Sequence, residues 1–323
     1  MQSILVIGGA GYIGSHMVKF LARAGHRVVV LDNLSTGHAD AVCYGELIVG
    51  DMADTELLDR LFHSNQFDAV MHFAAFSLVG ESVSDPGKYY RNNVANTLNL
   101  LDTMVRHQVR HFVFSSTAAT FGEPQADRID ESHPQNPINP YGRSKLMVEH
   151  ILADYDQAYG LKSVCLRYFN AAGADPEGEL GERHNPETHL IPLVLQAASG
   201  RRSHIHVFGT DYETPDGSCL RDYIHVQDLC SAHQLALEWL QEHQQSQQFN
   251  LGNGDGYSVL EVIATAREVT GKEIPVLIKD RRAGDPARLI ADATLAHQQL
   301  GWKPEYPALV DMIAHAWHWE QAS

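Results

Sequence analysis

Short apolar runs, each bounded by turn residues and followed by a stretch of helical periodicity, limit what this chain can fold into. SILVIGG (3–9), RVVVLDN (27–33), ELIVGD (46–51), AVMHFAA (69–75), HFVFSS (111–116) and SVCLRYFN (163–170) are continuous rather than alternating, as strands covered on both faces are. Between them, HMVKFLARAG (16–25) and NTLNLLDTMVRH (96–107) place apolar residues at helical spacing. Strands separated by helices must run parallel, so the expected class is α/β, a doubly wound parallel sheet. After residue 171 the rhythm breaks. Residues 173–189 are rich in Gly, Pro and charge and read as a long loop. Two further helical stretches and strands at IHVFG (205–209) and IPVLI (274–278) suggest a smaller second α/β domain. The expected division is 1–171 and 172–323, with a segment near 221–253 returning to the first domain. QEHQQSQQ (241–248) reads as a solvated connection before FNLGNG (249–254).

The first strand runs into Gly8-Gly9-Ala10-Gly11-Tyr12-Ile13-Gly14, which opens a helix. Glycines there permit a sharp turn and let a pyrophosphate approach the backbone, and the helix N-terminus offers free N–H groups to the anion. Asp32 ends the next strand, where a carboxylate can accept hydrogen bonds from ribose hydroxyls and repels a 2′-phosphate. The pattern is a Rossmann dinucleotide site that favours NAD over NADP. Asp51 follows the third strand in the same way, within reach of an adenine amine. Asp32-Asn33 also suits the start of an ordinary turn.

Such an anion must be held against the protein's own field. With 24 Lys+Arg against 40 Asp+Glu the 323-residue chain carries a net charge of −16, which also argues against nucleic acid as a partner. No segment reaches the roughly 18 apolar residues of a membrane span, and Met1-Gln2-Ser3 leads directly into the first strand, so a cytoplasmic protein with no membrane partner is expected. The four cysteines form no CxxC pair and suit a reducing compartment. The closest histidine pairs, His204/His206 and His315/His318, lack an evident third ligand, so no metal is expected.

Tyr141-Gly-Arg-Ser-Lys145 follows a proline-rich loop and continues as the helical stretch 144–155, so the two side chains share one face. A free phenol titrates near pH 10 and is a poor base at neutrality; a neighbouring ammonium, together with a cationic nicotinamide ring, would lower it. Ser115-Ser116-Thr117, at a strand end, supplies a hydroxyl that can orient a reacting oxygen or simply bond its own backbone.

Taken together, the glycine motif, the set Thr117, Tyr141 and Lys145, and the runs RYFN (167–170), RDYIHV (221–226) and RRxGD (281–285) resemble the UDP-glucose 4-epimerase family, a branch of the extended short-chain dehydrogenase/reductases. The resemblance spans about residues 3–319. It implies a tightly held NAD that is reduced and reoxidised in each turnover, with Tyr141 as base, Thr117 as its hydroxyl partner and Lys145 on the nicotinamide ribose. It places Gly8, Gly11, Tyr12, Ile13, Gly14, Asp32, Asn33, Asp51, Met52, Phe73, Ala74, Ala75, Ser77, Asn92 and Phe169 at the cofactor. At the UDP-sugar it places Asn170, His189, Leu190, His206, Phe208, Arg221, Arg282, Asp285 and Leu289. Arg221 and Arg282 would neutralise the diphosphate and Phe208 would stack near uracil. Many relatives carry Lys at the position of Ser77 and Asn at that of His189. Family members also pair helices matching 96–107 and 144–155, which implies a homodimer.

Three other readings share the scaffold. A 4,6-dehydratase needs extra acid/base groups, and dehydratases resembling this chain carry Asp-Glu directly after the Thr, where Ala118-Ala119 stands. Epimerases of UDP-glucuronate need a partner for the C6 carboxylate. A non-catalytic NAD-binding regulator could discard the base, and this chain retains Tyr141 and Lys145.

Overall fold

The computed structural model describes residues 1–282 and 285–322, so Ala283 and Gly284 of the RRxGD run lie outside the described residues. The first half alternates as its apolar runs require: β1 (Ser3–Ile7), α1 (Tyr12–Arg23), β2 (Arg27–Asp32), β3 (Glu46–Val49), α2 (Thr55–Ser64) and β4 (Ala69–His72). Two short helices, α3 (Val79–Ser84) and α4 (Pro86–Tyr89), lead through a wide π turn at Tyr90–Ala95 into α5 (Asn96–Arg106). Then come β5 (His111–Thr117), α6 (Pro140–Tyr159) and β6 (Lys162–Tyr168).

Later elements are shorter and more dispersed: β7 (Asn170–Ala172), α7 (Leu190–Ala198), β8 (Ile205–Phe208), β9 (Leu220–Arg221), β10 (Tyr223–His225), α8 (Val226–His243) and β11 (Gln247–Leu251). The chain ends with β12 (Tyr257–Ser258), α9 (Val259–Thr270), β13 (Val276–Lys279), β14 (Arg288–Leu289) and α10 (Leu309–Ala322).

Seven parallel strands form the main sheet in the order β11-β6-β5-β4-β1-β2-β3. One face is covered by α1 and α8 through Met17, Leu21, Leu229, Ala236 and Leu237. The other is covered by α2, α5 and α6 through Leu58, Leu61, Leu100, Met104, Val148 and Leu152. Burial on both faces explains why the strands read as unbroken apolar runs. The order reverses between β1 and β4, and a crevice opens there at the strands' carboxyl ends.

A second core gathers α7, α9 and α10 around Val194, Val207, Ile263 and Met312, beside the parallel pair β8–β13. Among the described residues, four α-helices follow the long loop rather than the two expected. The stretch 241–248 is not a solvated connection either: α8 runs to His243, and Gln247 and Gln248 begin β11, an edge strand paired with β6. Polar residues are tolerated there because an edge strand meets water on one side.

Candidate active site

The crevice between β1 and β4 is shaped by glycine. Gly8 has φ +78°, and a Cβ on it would fall 2.5 Å from the Ala74 amide nitrogen; one on Gly14 would fall 2.1 Å from the Gly8 carbonyl oxygen. Only hydrogen fits at either place. At Gly11, the residue before α1, an added Cβ would meet nothing nearer than 3.5 Å, and no side chain caps the helix. The first turn of α1 therefore presents open N–H groups and no acidic side chain, a cradle that fits a pyrophosphate.

Asp32 accepts from the Ala10 N–H at 2.9 Å and the Leu34 N–H at 2.8 Å, which fixes its carboxylate at the crevice wall. Asp51 accepts from Asn33 Nδ2 at 2.7 Å and from the Ala53 N–H at 2.8 Å. Gly8, Gly11, Asp32, Asn33, Asp51, Met52, Phe73, Ala74, Ala75 and Asn92 line the same cavity. Other expected cofactor residues take different positions. The Tyr12 hydroxyl donates to the Gly173 carbonyl at 2.6 Å, Ile13 packs into the core, Ser77 is exposed, and Phe169 packs against the cluster of Ala118, Phe121 and Ile129.

Phe76, within the run Phe73 to Ser77 that the resemblance implies, also lines the cavity, as do Ser35 and Thr36, which were not expected. The two hydroxyls just after Asp32-Asn33 were the available signal. Asn93, on the π turn, bonds both the N–H and the carbonyl of Phe76 at 3.0 Å and reaches Ser144 Oγ at 3.1 Å, which ties the crevice rim to α6.

Asn139 caps α6 by accepting from the Gly142 N–H at 2.8 Å, and Pro140 occupies the first helical position. A Cβ on Gly142 would fall 2.3 Å from the Ala119 carbonyl oxygen, so α6 starts in close contact with the exit of β5. That contact brings the Thr117 hydroxyl near enough to Tyr141 to act on its phenol. Burial raises the Tyr141 phenol, and the Thr117 hydroxyl opposes this. Lys145 lies one turn on and is 3% exposed; its ammonium donates to the Ser115 carbonyl at 2.7 Å and sits 4.7 Å over the Phe114 ring. Burial lowers Lys145 to about 7 against the pull of Glu149. The lysine is held on the β5 backbone one helical turn from Tyr141.

A further turn along α6, Glu149 forms a buried fork with Arg167, whose Nη2 donates at 2.6 Å and Nε at 3.0 Å, and it also accepts from Ser116 Oγ at 2.5 Å. This support was missed in the sequence, although Glu149 stands four residues after Lys145 on the same face.

The residues expected at the nucleotide sugar lie in small groups on separate elements. Arg221 is ion-paired with Asp285 and donates to the Leu220 and Pro286 carbonyls at 2.7 and 2.9 Å. The Arg282 guanidinium lies 3.8 Å over the Phe208 ring, which has His206 at 5.8 Å. Asn170 Nδ2 donates to the Asp222 carbonyl at 2.8 Å. His189 precedes α7, Leu190 begins it, and Leu289 packs with Phe169 beside the end of β5. Of the histidine pairs, His204 and His206 face each other at 3.1 Å, whereas His315 turns to His225 at 3.0 Å.

A family model for NAD dependent epimerases and dehydratases matches residues 4–252. The chain belongs to the NAD dependent epimerase/dehydratase family. Within it, this chain is similar to a UDP-glucose 4-epimerase of Halalkalibacterium halodurans, 56% identical over 99% of this chain and 96% of the relative. Its structure is similar to that of a Brucella ovis UDP-glucose 4-epimerase in complex with NAD, with TM-score 0.97, 51% identity and 99% of both chains covered. It is also similar to a Bifidobacterium longum UDP-glucose 4-epimerase in complex with NAD+ and UDP, with TM-score 0.94, 40% identity, and 99% of this chain and 98% of that chain covered.

Proposed function

We propose that this chain is an NAD-dependent UDP-glucose 4-epimerase that interconverts UDP-glucose and UDP-galactose by inversion at C4. The observation that carries the reading is the buried Tyr141 phenol at the start of α6, lowered by the Thr117 hydroxyl at the carboxyl end of β5, beside a glycine cradle that fits a dinucleotide. The Gly8–Gly14 cradle with Asp32 and Asp51 would hold NAD, which would supply the hydride acceptor and donor for C4 and a positive charge favouring the phenolate. Tyr141 takes the proton of the C4 hydroxyl while Thr117 holds that oxygen in line. Lys145, fixed on the Ser115 carbonyl, orients the ribose side. The resulting 4-keto sugar turns over in its pocket, and Tyr141 returns the proton to the oxygen on the other face. Arg221 and Arg282 hold the diphosphate throughout, so the nucleotide stays anchored while the sugar moves.

Ala118 and Ala119 offer no proton donor for elimination, which disfavours a dehydratase. Residues 1–171 act as the cofactor domain and 172–323 as the nucleotide-sugar domain, with a segment near 221–253 working with the first. The enzyme works as a homodimer: Met147 on α6 is 43% exposed and Val83 on the adjoining α3 is 64% exposed, an apolar face suited to a second copy. Its place is the cytoplasm, in keeping with four free cysteines, and no described helix is long and apolar enough to cross a membrane.

The test is incubation of the purified protein with UDP-galactose. UDP-glucose should accumulate without NADH; stoichiometric NADH or a 4-keto-6-deoxy product would refute the assignment.

A further inference from the structure

The loop between β7 and α7 gathers four metal-ligating side chains within eight residues. Glu182, His184, Glu187 and His189 each present one ligand atom, and these atoms lie within 4.8 Å of one another. We propose that they form a closed, four-coordinate site for one divalent transition-metal ion of the zinc class.

Both imidazoles turn Nδ1 to a single carboxylate oxygen of Glu182, His184 at 2.8 Å and His189 closer still. Glu187 Oε1 lies 3.8 Å from the same His184 nitrogen. The carboxylate side chains are 6% and 7% exposed, so two anions are withdrawn from water beside two imidazoles. One divalent ion replaces two protons on those rings and leaves the cluster neutral. Bonds of about 2.0–2.2 Å to a tetrahedral ion place ligand atoms roughly 3.3–3.5 Å apart, and the observed separations bracket that range. Small side-chain rotations therefore suffice.

The surroundings orient the ligands as an outer shell does. Glu187 Oε1 is fixed by the N–H groups of Thr188 and His189 at 2.7 and 2.9 Å, and the Glu182 carbonyl accepts from Trp319 Nε1 at 3.3 Å. Two imidazoles with two carboxylates favour zinc-like ions over magnesium or calcium. The nearby acidic group of Asp175, Glu177 and Glu179 differs in kind, because Lys19 already pairs with all three at 2.6, 2.9 and 3.0 Å. An ion at the histidine cluster fastens the loop to the start of α7. His189 can bind it through Nδ1 and keep Nε2 for the nucleotide sugar.

The full-length holoenzyme, dialysed against chelator, is titrated with Zn2+ by calorimetry and with Co2+ by visible absorption. One equivalent per chain, with the bands of four-coordinate Co2+, is expected. His184→Gln and Glu187→Gln should each weaken Zn2+ at least ~10-fold, whereas His204→Gln should not. Absence of saturable Zn2+ binding, or equal affinity in the loop variants, overturns the site. X-ray absorption on Zn2+-loaded wild-type protein needs no variant: two imidazoles and two oxygens near ~2.0–2.1 Å are expected, and an all-oxygen shell contradicts it.

Discussion

The two halves of the molecule place their functional groups by different means. In the first half, a seven-stranded parallel sheet carries them on strand ends: Gly8 after β1, Asp32 closing β2, Phe73 after β4, Thr117 closing β5. In the second half, sheets of two or three strands leave the work to loops. Arg221 meets Asp285 because β9 pairs with β14, and Phe208 meets Arg282 beyond the ends of β8 and β13. On the proposed function, a rigid sheet holds the groups that meet the reacting atoms. Looser scaffolding suffices for groups that hold a nucleotide, whose own phosphates and base supply much of the recognition.

If that division is right, Tyr141→Phe should lower kcat by at least ~10², the lower end for losing a general base, while KM and retained cofactor change little. A large rise in KM with kcat preserved would break the comparison. Arg221→Ala should do the opposite. Loss of a charge-assisted contact to the diphosphate, about 1.5–3 kcal/mol, should raise KM roughly 10- to 150-fold and spare kcat. Steady-state kinetics on both variants, with UDP as a competing ligand, checks the pair.

Leu289 lies on the seam, since it stands on β14 yet packs with Phe169 against the end of β5. On the proposed function its branched tip would crowd an acetamide on C2 of the sugar, at about 1–3 kcal/mol for an overpacked contact. Leu289→Ser should therefore raise kcat/KM for UDP-N-acetylglucosamine relative to UDP-glucose. An unchanged ratio would remove Leu289 from selection.

The smallest effect is one of stability. Burial lowers Lys145 to about 7 from its usual 10.5. Between those values the unfolded chain carries a proton that the folded chain lacks, so this contribution rises with pH, by at most about 1.4 kcal/mol per unit. Urea unfolding of cofactor-free protein at pH 7, 8 and 9 should show wild type gaining on Lys145→Met. A flat difference would mean that Lys145 keeps its proton on the Ser115 carbonyl.

The same contrast governs what the sequence revealed. Periodicity and glycine spacing exposed the first half, because each functional group there lies within a few residues of an apolar run. Tyr141 and Lys145 were legible through helical spacing. Glu149 and Arg167 were not, since their contact depends on α6 lying over β6. Beyond residue 171, β11 was hidden by Gln247 and Gln248, and the Glu182–His189 cluster by a loop whose path only the structure supplies.

The central claim is that C4 gives up its hydrogen and receives it back within one active site. UDP-galactose deuterated at C4 provides the most direct test, with product analysed after turnover in ordinary water. The account predicts UDP-glucose that retains deuterium at C4. Product carrying solvent hydrogen at that carbon would contradict it.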